Sequence, residues 1–120
     1  MRLLREFHGV VEAAVEQVGP VVLVAPEAPG VTVAVDPAAG TLSVQGGWWY
    51  RGETSVRPHP RGTLVTYRIL DIAPQGRWAT WLVSRRPLRE APAVFAGGLA
   101  ATGRRLGVPA YVLDTTPPLA

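Results

Sequence analysis

The chain has 120 residues and a mass of 12.8 kDa, which leaves room for one domain. Its 48% hydrophobic and 18% charged residues are typical of a packed globular protein and exclude a disordered chain. Cysteine is absent, which excludes disulfides, thiolate metal sites and a cysteine nucleophile. The net charge of +3 comes from arginines that are spread along the chain, so the sequence does not predict a nucleic-acid partner.

The distribution of charge also bears on location. The first twelve residues interleave charged and apolar side chains, which argues against a signal peptide. No stretch of about 18 uncharged apolar residues occurs, so we expect no membrane span. These observations predict a cytoplasmic protein.

Residues 2–18 allow two interpretations. Apolar residues recur on one helical face, which favours a single helix. Gly9 weakens such a helix by about 1 kcal/mol relative to alanine. A strand ending at Val11, followed by a short helix over 13–24, is the alternative.

An antiparallel meander of four strands is predicted over residues 31–72. Valines at 31, 33 and 35 alternate with smaller residues, and a turn at 36–40 leads into a second strand over 41–45. Gly46 and Gly47 form the next turn before a strand over 48–57, and a four-residue turn at 58–61 precedes the last strand over 63–72.

The C-terminal part predicts a long amphipathic helix. Residues 77–84 are interpreted as a short extra strand or an extended connection. Beyond Pro87, apolar residues recur at three- and four-residue steps until Gly107 ends the helix. Gly97 and Gly98 predict a close approach to the sheet or to something bound. Residues 114–120 are expected to be a flexible tail.

Strand alternation suggests which side chains face the interior. On the strand over 48–57, one face carries Trp48, Tyr50, Gly52, Thr54 and Val56, and we expect this face to point inward. A four-residue turn would place Tyr50 opposite Ile69. A two-residue Gly46-Gly47 turn would instead bring Trp49 inward, and the sequence leaves this choice open.

Three segments of the chain are Gly47-Trp48-Trp49-Tyr50-Arg51-Gly52-Glu53, Gly62-Thr63-Leu64-Val65-Thr66-Tyr67 and Arg86-Pro87-Leu88 to Leu106-Gly107-Val108-Pro109. They resemble the corresponding segments of short bacterial members of the START-like superfamily, which includes polyketide cyclases and plant pathogenesis-related proteins. The resemblance implies one α+β domain over 1–113 with a helix-grip fold, in which a curved antiparallel sheet wraps around a long C-terminal helix. It also implies a cavity between the sheet and that helix.

We therefore expect a protein that binds a small hydrophobic or aromatic molecule, such as a lipid, in that cavity and does not transform it. The alternatives are a cyclase or dehydratase and a structural or partner-binding domain with a filled core. A homodimer is compatible with the sequence. The expected ligand-binding residues are Trp48, Tyr50, Tyr67, Ile69, Trp78, Trp81, Phe95 and Leu99.

Few residues point to catalysis. Asp71, Tyr67 and Tyr50 are the candidates if a reaction occurs, although an aspartate at a strand end more often caps a turn. His8 and His59 are far apart in the chain and lack a nearby carboxylate cluster, so neither a metal nor another cofactor is predicted.

Overall fold

The computed structural model describes residues 2–27, 29–73 and 77–113, without the side chains of residues 77, 78, 81 and 82. Six strands and two helices follow one another along the chain: β1 (Arg2–Val11), α1 (Val15–Val22), β2 (Val31–Asp36), β3 (Thr41–Gly46), β4 (Tyr50–His59), β5 (Gly62–Asp71), α2 (Arg77–Leu106) and β6 (Ala110–Val112).

All six strands form a single open sheet in the order β2-β3-β4-β5-β1-β6, and each neighbouring pair is antiparallel. The long helix α2 packs against this sheet, so the predicted α+β class is confirmed. The predicted tail over 114–120 lies outside the described residues. Neither helix in the described part of the chain has the length and apolar character that a membrane span requires.

The N-terminal segment forms a strand followed by a short helix, so the single helix that the periodicity favours is wrong. Phe7 and Val11 are buried on the face that α2 covers, whereas His8 points to the opposite face. Every residue from Glu6 to Val11 has a partner on β5. The physical reason is this pairing, because a central strand position contributes more than the local helical periodicity of a short segment.

The predicted meander is confirmed, but two of its turns differ from expectation. The β3–β4 turn occupies residues 47–49, so β4 begins at Tyr50. The β4–β5 turn uses only residues 60–61, which pairs Tyr50 with Asp71 and not with Ile69. Because the shift is two residues, each side chain keeps its predicted face.

Proline chemistry explains why β4 extends through Pro58. The ladder between β3 and β4 ends at Ser55, so at position 58 only the β5 side of the strand is paired. A proline lacks the N–H that a fully paired strand position requires, and it is tolerated where one side of the strand is free.

The helix α2 begins at Arg77, so the expected strand or extended connection over 77–84 is wrong. Its buried side chains continue at three- and four-residue steps through the polar residues Thr80 and Ser84. Pro87 and Pro92 lie inside the helix and are exposed. Water can therefore reach the carbonyl groups that these prolines leave without an N–H partner.

The helix ends as predicted at Gly107. This glycine has a φ of 69°, its N–H donates to the Arg104 carbonyl, and the Val108 N–H donates to the Gly103 carbonyl. This is the Schellman arrangement, which favours glycine because other residues are strained at that φ. The chain then reverses into β6, which pairs with β1.

The close approach between helix and sheet occurs at Gly9. A Cβ on Gly9 would overlap the Leu99 side chain of α2, whereas a Cβ on Gly97 or Gly98 would meet nothing within 4 Å. The expectation that Gly97 and Gly98 bring the helix close to the sheet is therefore wrong. Gly9 of β1 supplies the space for the Leu99 side chain, and the two helical glycines are exposed.

Candidate functional site

An open groove lies between α2, the end of α1 and the strands β4 and β5. Its volume is about 370 Å³, which is within the usual range for small-molecule sites. The side chains and backbone that line it come from all four elements: Val21, Val22, Thr54, Val65, Tyr67, Val94, Phe95, Gly98, Leu99 and Thr102.

Aromatic rings form one wall of this groove. Tyr67 and Phe95 line it, and their ring centroids lie 6.3 Å apart with an interplanar angle of 8°. Phe7 stacks on both rings, at 6.3 Å from Tyr67 and 5.6 Å from Phe95. The stack joins β1, β5 and α2, so the groove wall is continuous with the hydrophobic core.

A pair of phenols marks the polar end of this stack. The hydroxyl groups of Tyr50 and Tyr67 form a hydrogen bond with each other. Gly52 makes the pairing possible, because a Cβ at this position would lie 2.5 Å from the Tyr50 hydroxyl oxygen and 3.2 Å from Cε1 of Tyr67. The bare backbone of Gly52 therefore lets the Tyr50 ring fold along its own strand.

Burial raises the pKa of Tyr67, and the hydrogen bond with Tyr50 raises it further. Tyr67 is therefore a neutral phenol at neutral pH. Of two hydroxyls that share one hydrogen bond, one donates and the other keeps its own O–H. The pair can thus offer one O–H donor and its remaining lone pairs to a ligand.

The described residues that line the groove include no charged side chain. The hydroxyl of one of them, Thr102, donates to the Gly98 carbonyl at 2.9 Å and is occupied within the helix. Val94 is 69% exposed at the groove and contributes an apolar surface. An apolar or aromatic molecule without a net charge suits such a lining.

Some of the predicted ligand-binding residues lie together in this groove. Tyr67, Phe95 and Leu99 line it, whereas Tyr50 does not line it and forms a hydrogen bond with Tyr67. Ile69 is 3% exposed and belongs to the core rather than to the groove lining. Trp78 and Trp81 lie on α2, but their side chains are outside the described residues.

The sequence left open which of Trp48 and Trp49 faces inward, and the expected inward position of Trp48 is wrong. Trp48 lies in the β3–β4 turn and is 43% exposed. Trp49 packs against the core instead, and its ring meets the Tyr50 ring edge-on at 5.6 Å. The turn of three residues removes Trp48 from the strand, so strand alternation no longer determines its direction.

Asp71 is fully buried at the end of β5, and its carboxylate interacts with other groups of the protein. Its carboxylate accepts the Ala73 N–H at 2.9 Å and lies 3.5 Å from the Arg2 guanidinium. This is the capping role expected of an aspartate at a strand end. Asp71 does not line the groove.

His8 lies on the opposite face of the sheet from the groove. Its Nε2 is 2.7 Å from the Glu6 carboxylate, and its Nδ1 is 3.1 Å from the Thr66 hydroxyl. Arg68 pairs with the same carboxylate at 2.9 Å. Glu6 has a lowered pKa because Arg68 and His8 stabilise its charged form against the opposing effect of burial.

The described structure has other concavities, two of which lie on the sheet or beside α1. One of about 730 Å³ separates α1 from the β2–β3 turn and includes Glu16 and Arg57, and one of about 460 Å³ on the outer sheet face includes Arg51 and Arg68. Both are larger than the groove beside α2. We favour the groove because it alone among these three is lined by Tyr67 and Phe95.

The expected ligand-binding residues did not include seven that line the groove: Val21, Val22, Thr54, Val65, Val94, Gly98 and Thr102. For Gly98 the sequence predicted only a close approach to the sheet or to something bound. The helical repeat could have revealed part of this set, since residues 94, 98 and 102 follow at four-residue steps beside the buried stripe of α2. The contribution of α1 had no such signal, because it depends on where that helix packs.

In comparisons with protein-family models, curated proteins and solved structures, none matches the chain.

Proposed function

We propose that this protein binds a small hydrophobic or aromatic molecule in the groove between the sheet and α2 without transforming it. One observation carries the proposal: an uncharged groove of about 370 Å³ places a phenol pair beside an aromatic wall. Aromatic faces favour contact with apolar or aromatic surfaces, and the phenol oxygens can orient one polar group of the ligand.

The architecture supports a helix-grip interpretation of the fold. The strands β2 to β5 form a meander, and the last of them pairs with β1 before the chain enters α2. The helix then packs on the face that carries Phe7 and Tyr67. We propose on this basis that the chain is a short START-like domain, the architecture that would place a ligand in this groove.

Binding is a better explanation of the groove than a cyclase or dehydratase reaction. Such a reaction needs a group that can accept or donate a proton at the ligand. Tyr67 has a raised pKa and stays neutral, while Asp71 is engaged with Ala73 and Arg2 away from the groove. The candidate catalytic residues are therefore poorly placed to act as bases.

The two glycines of α2 provide a matched test of the binding site. Both are exposed, and a Cβ on either meets nothing within 4 Å, but only Gly98 lines the groove. We expect wild-type protein and Gly97→Phe to bind the neutral fluorescent probe N-phenyl-1-naphthylamine saturably. Gly98→Phe should weaken binding about tenfold or more, because the added ring occupies the groove.

Fluorescence titration measures the three dissociation constants, and circular dichroism shows whether each variant folds. A thermal-shift screen with neutral aromatic compounds and fatty acids then narrows the ligand class, because a ligand at roughly 100 times its dissociation constant adds about 2.7 kcal/mol to stability. The absence of saturable probe binding to the wild type, or equal weakening by both substitutions, would contradict the proposed site.

A further inference from the structure

The strand β2 forms one edge of the sheet, and its only neighbour among the described strands is β3. One side of its backbone therefore carries N–H and C=O groups that no described strand pairs. Such an edge is a template for pairing with another strand.

Within the strand β2, charge and proline are scarce, although Pro37 follows it directly. Its residues carry no charge before Asp36 and include no proline. The register between β2 and β3 runs without interruption from Val31 to Asp36, so no bulge disrupts the strand. An uninterrupted edge strand of six residues, of which the first five are uncharged, favours association.

The opposite edge of the sheet is shorter. The strand β6 has only three residues, whereas β2 has six. Short length is one way in which proteins protect sheet edges. The contrast identifies β2 as the edge available for pairing.

The side chains of β2 make this edge complementary to itself. Val31, Val33 and Val35 lie at alternate positions and face the same side of the sheet. If two copies pair in antiparallel fashion about Val33, each Val31 faces a Val35 of the other copy. Thr32 then faces Ala34 on the other side of the sheet.

Charge is compatible with the same arrangement. Asp36 is the only charged residue of β2, and in this register it lies opposite Gly30 of the second copy. No like charges therefore face each other across the new strand pair. Like charges directly opposite each other would destabilise the pairing. Val35 is 40% exposed, so pairing would also cover apolar surface.

We propose that a second copy of this chain pairs with β2 in antiparallel orientation about a twofold axis at Val33, which joins the two sheets into one of twelve strands. The same patch contacts itself across the axis, as in other twofold dimers. The backbone hydrogen bonds supply attraction, and the valine pairs fix the register.

A charge exchange at the axis tests this proposal. Val33→Glu and Val33→Lys each place like charges opposite each other in a homodimer, so we expect either variant to raise the dimer dissociation constant about tenfold or more. Mixing the two variants places opposite charges together and should restore dimer formation. Sedimentation equilibrium of the full chain over a concentration series gives the dissociation constants.

Val112→Glu serves as the control because Val112 is 43% exposed on the opposite edge strand. We expect it to leave dimerisation unchanged. Thr32→Lys, at an exposed position of β2, is a second disruptive variant if the Val33 variants fail to fold. A wild-type protein that stays monomeric, dimers that survive both Val33 variants, or a mixture that stays monomeric would each overturn the proposal.

Discussion

The absence of a side chain at Gly52 shapes the polar part of the candidate site. Gly52 lies in β4, where glycine is normally unfavourable because it leaves backbone exposed and adds no packing surface. Here the Tyr50 and Tyr67 rings occupy the space that a side chain at position 52 would take. Because Gly52 has no side chain, the two phenols can contact each other, and one of them lines the groove.

The raised pKa of Tyr67 predicts an alkaline loss of stability. The unfolded chain releases the Tyr67 proton near the ordinary value of 10.0, whereas the folded protein retains it to higher pH. Above pH 10 the unfolded state therefore binds fewer protons. The free energy of unfolding should fall with rising pH there, by at most about 1.4 kcal/mol per pH unit from this group.

Urea denaturation of the wild type and of Tyr67→Phe, at pH values from about 8 to about 11, isolates this effect, because this range spans the ordinary tyrosine pKa. We expect Tyr67→Phe to be less stable by about 1 kcal/mol at neutral pH, because it loses the hydrogen bond to Tyr50. The difference should shrink above pH 10. A constant difference across this range would show that Tyr67 titrates normally in the folded protein.

At the scale of elements, α2 shows how a helix can be built from a sequence with several apparent interruptions. Its buried stripe includes Thr80, Ser84 and Thr102, whose polarity conceals the apolar repeat. The Thr80 hydroxyl has no hydrogen-bond partner among the described residues. Pro87, Pro92 and Gly97 are exposed outside this stripe, and Gly98 lies beside it in the groove.

We expect Gly97→Ala and Gly98→Ala each to stabilise the protein by roughly 0.5 to 1 kcal/mol. Alanine restricts the unfolded chain more than glycine and fits an interior helical position. Neither new methyl group meets another atom within 4 Å. Urea denaturation at neutral pH measures the change, and a decrease in stability from either substitution would contradict the described helix geometry at that residue.

At the scale of the whole molecule, the helices cover one part of the sheet and leave another part open. The helix α2 packs near β1 and β6, and α1 packs on β4 and β5. The β2–β3 hairpin lies beyond both, so Val31 and Val33 are only half-buried. This asymmetry creates the groove beside α2 and also leaves the β2 edge available.

The docking of α2 on β1 predicts a large effect from a small substitution. Gly9→Ala should destabilise the protein by roughly 1 to 3 kcal/mol, because the added methyl overlaps Cδ1 of Leu99 and forces this 4% exposed side chain out of its packed position. Gly97→Ala is the control: it lies exposed in α2, and its Cβ would meet nothing within 4 Å.

Thermal and urea denaturation of these two variants give the comparison. Gly97→Ala should be slightly stabilising, since alanine is the better helix former. Equal stability of Gly9→Ala and the wild type would mean that α2 does not contact β1 as described.

Much of the meander could be predicted from local patterns, because alternation within a strand and turn chemistry between strands are properties of neighbouring residues. The inward faces of Tyr50 and Tyr67 were predicted correctly for this reason. The direction of Trp48 could not be predicted, since one additional turn residue moves it out of the strand. The strand at residues 2–11 and the helix at 77–84 likewise depend on distant pairing partners.

The sequence by itself determined the α+β class, the faces of the central strands and the end of α2 at Gly107, because each follows from the stereochemistry of a few adjacent residues. Only the tertiary structure decided that β1 lies between β5 and β6, that Gly9 rather than Gly97 or Gly98 admits the helix, and that Asp71 is held beside Arg2. These features depend on contacts between residues far apart in the chain, whose free energy exceeds local preferences once the core is packed.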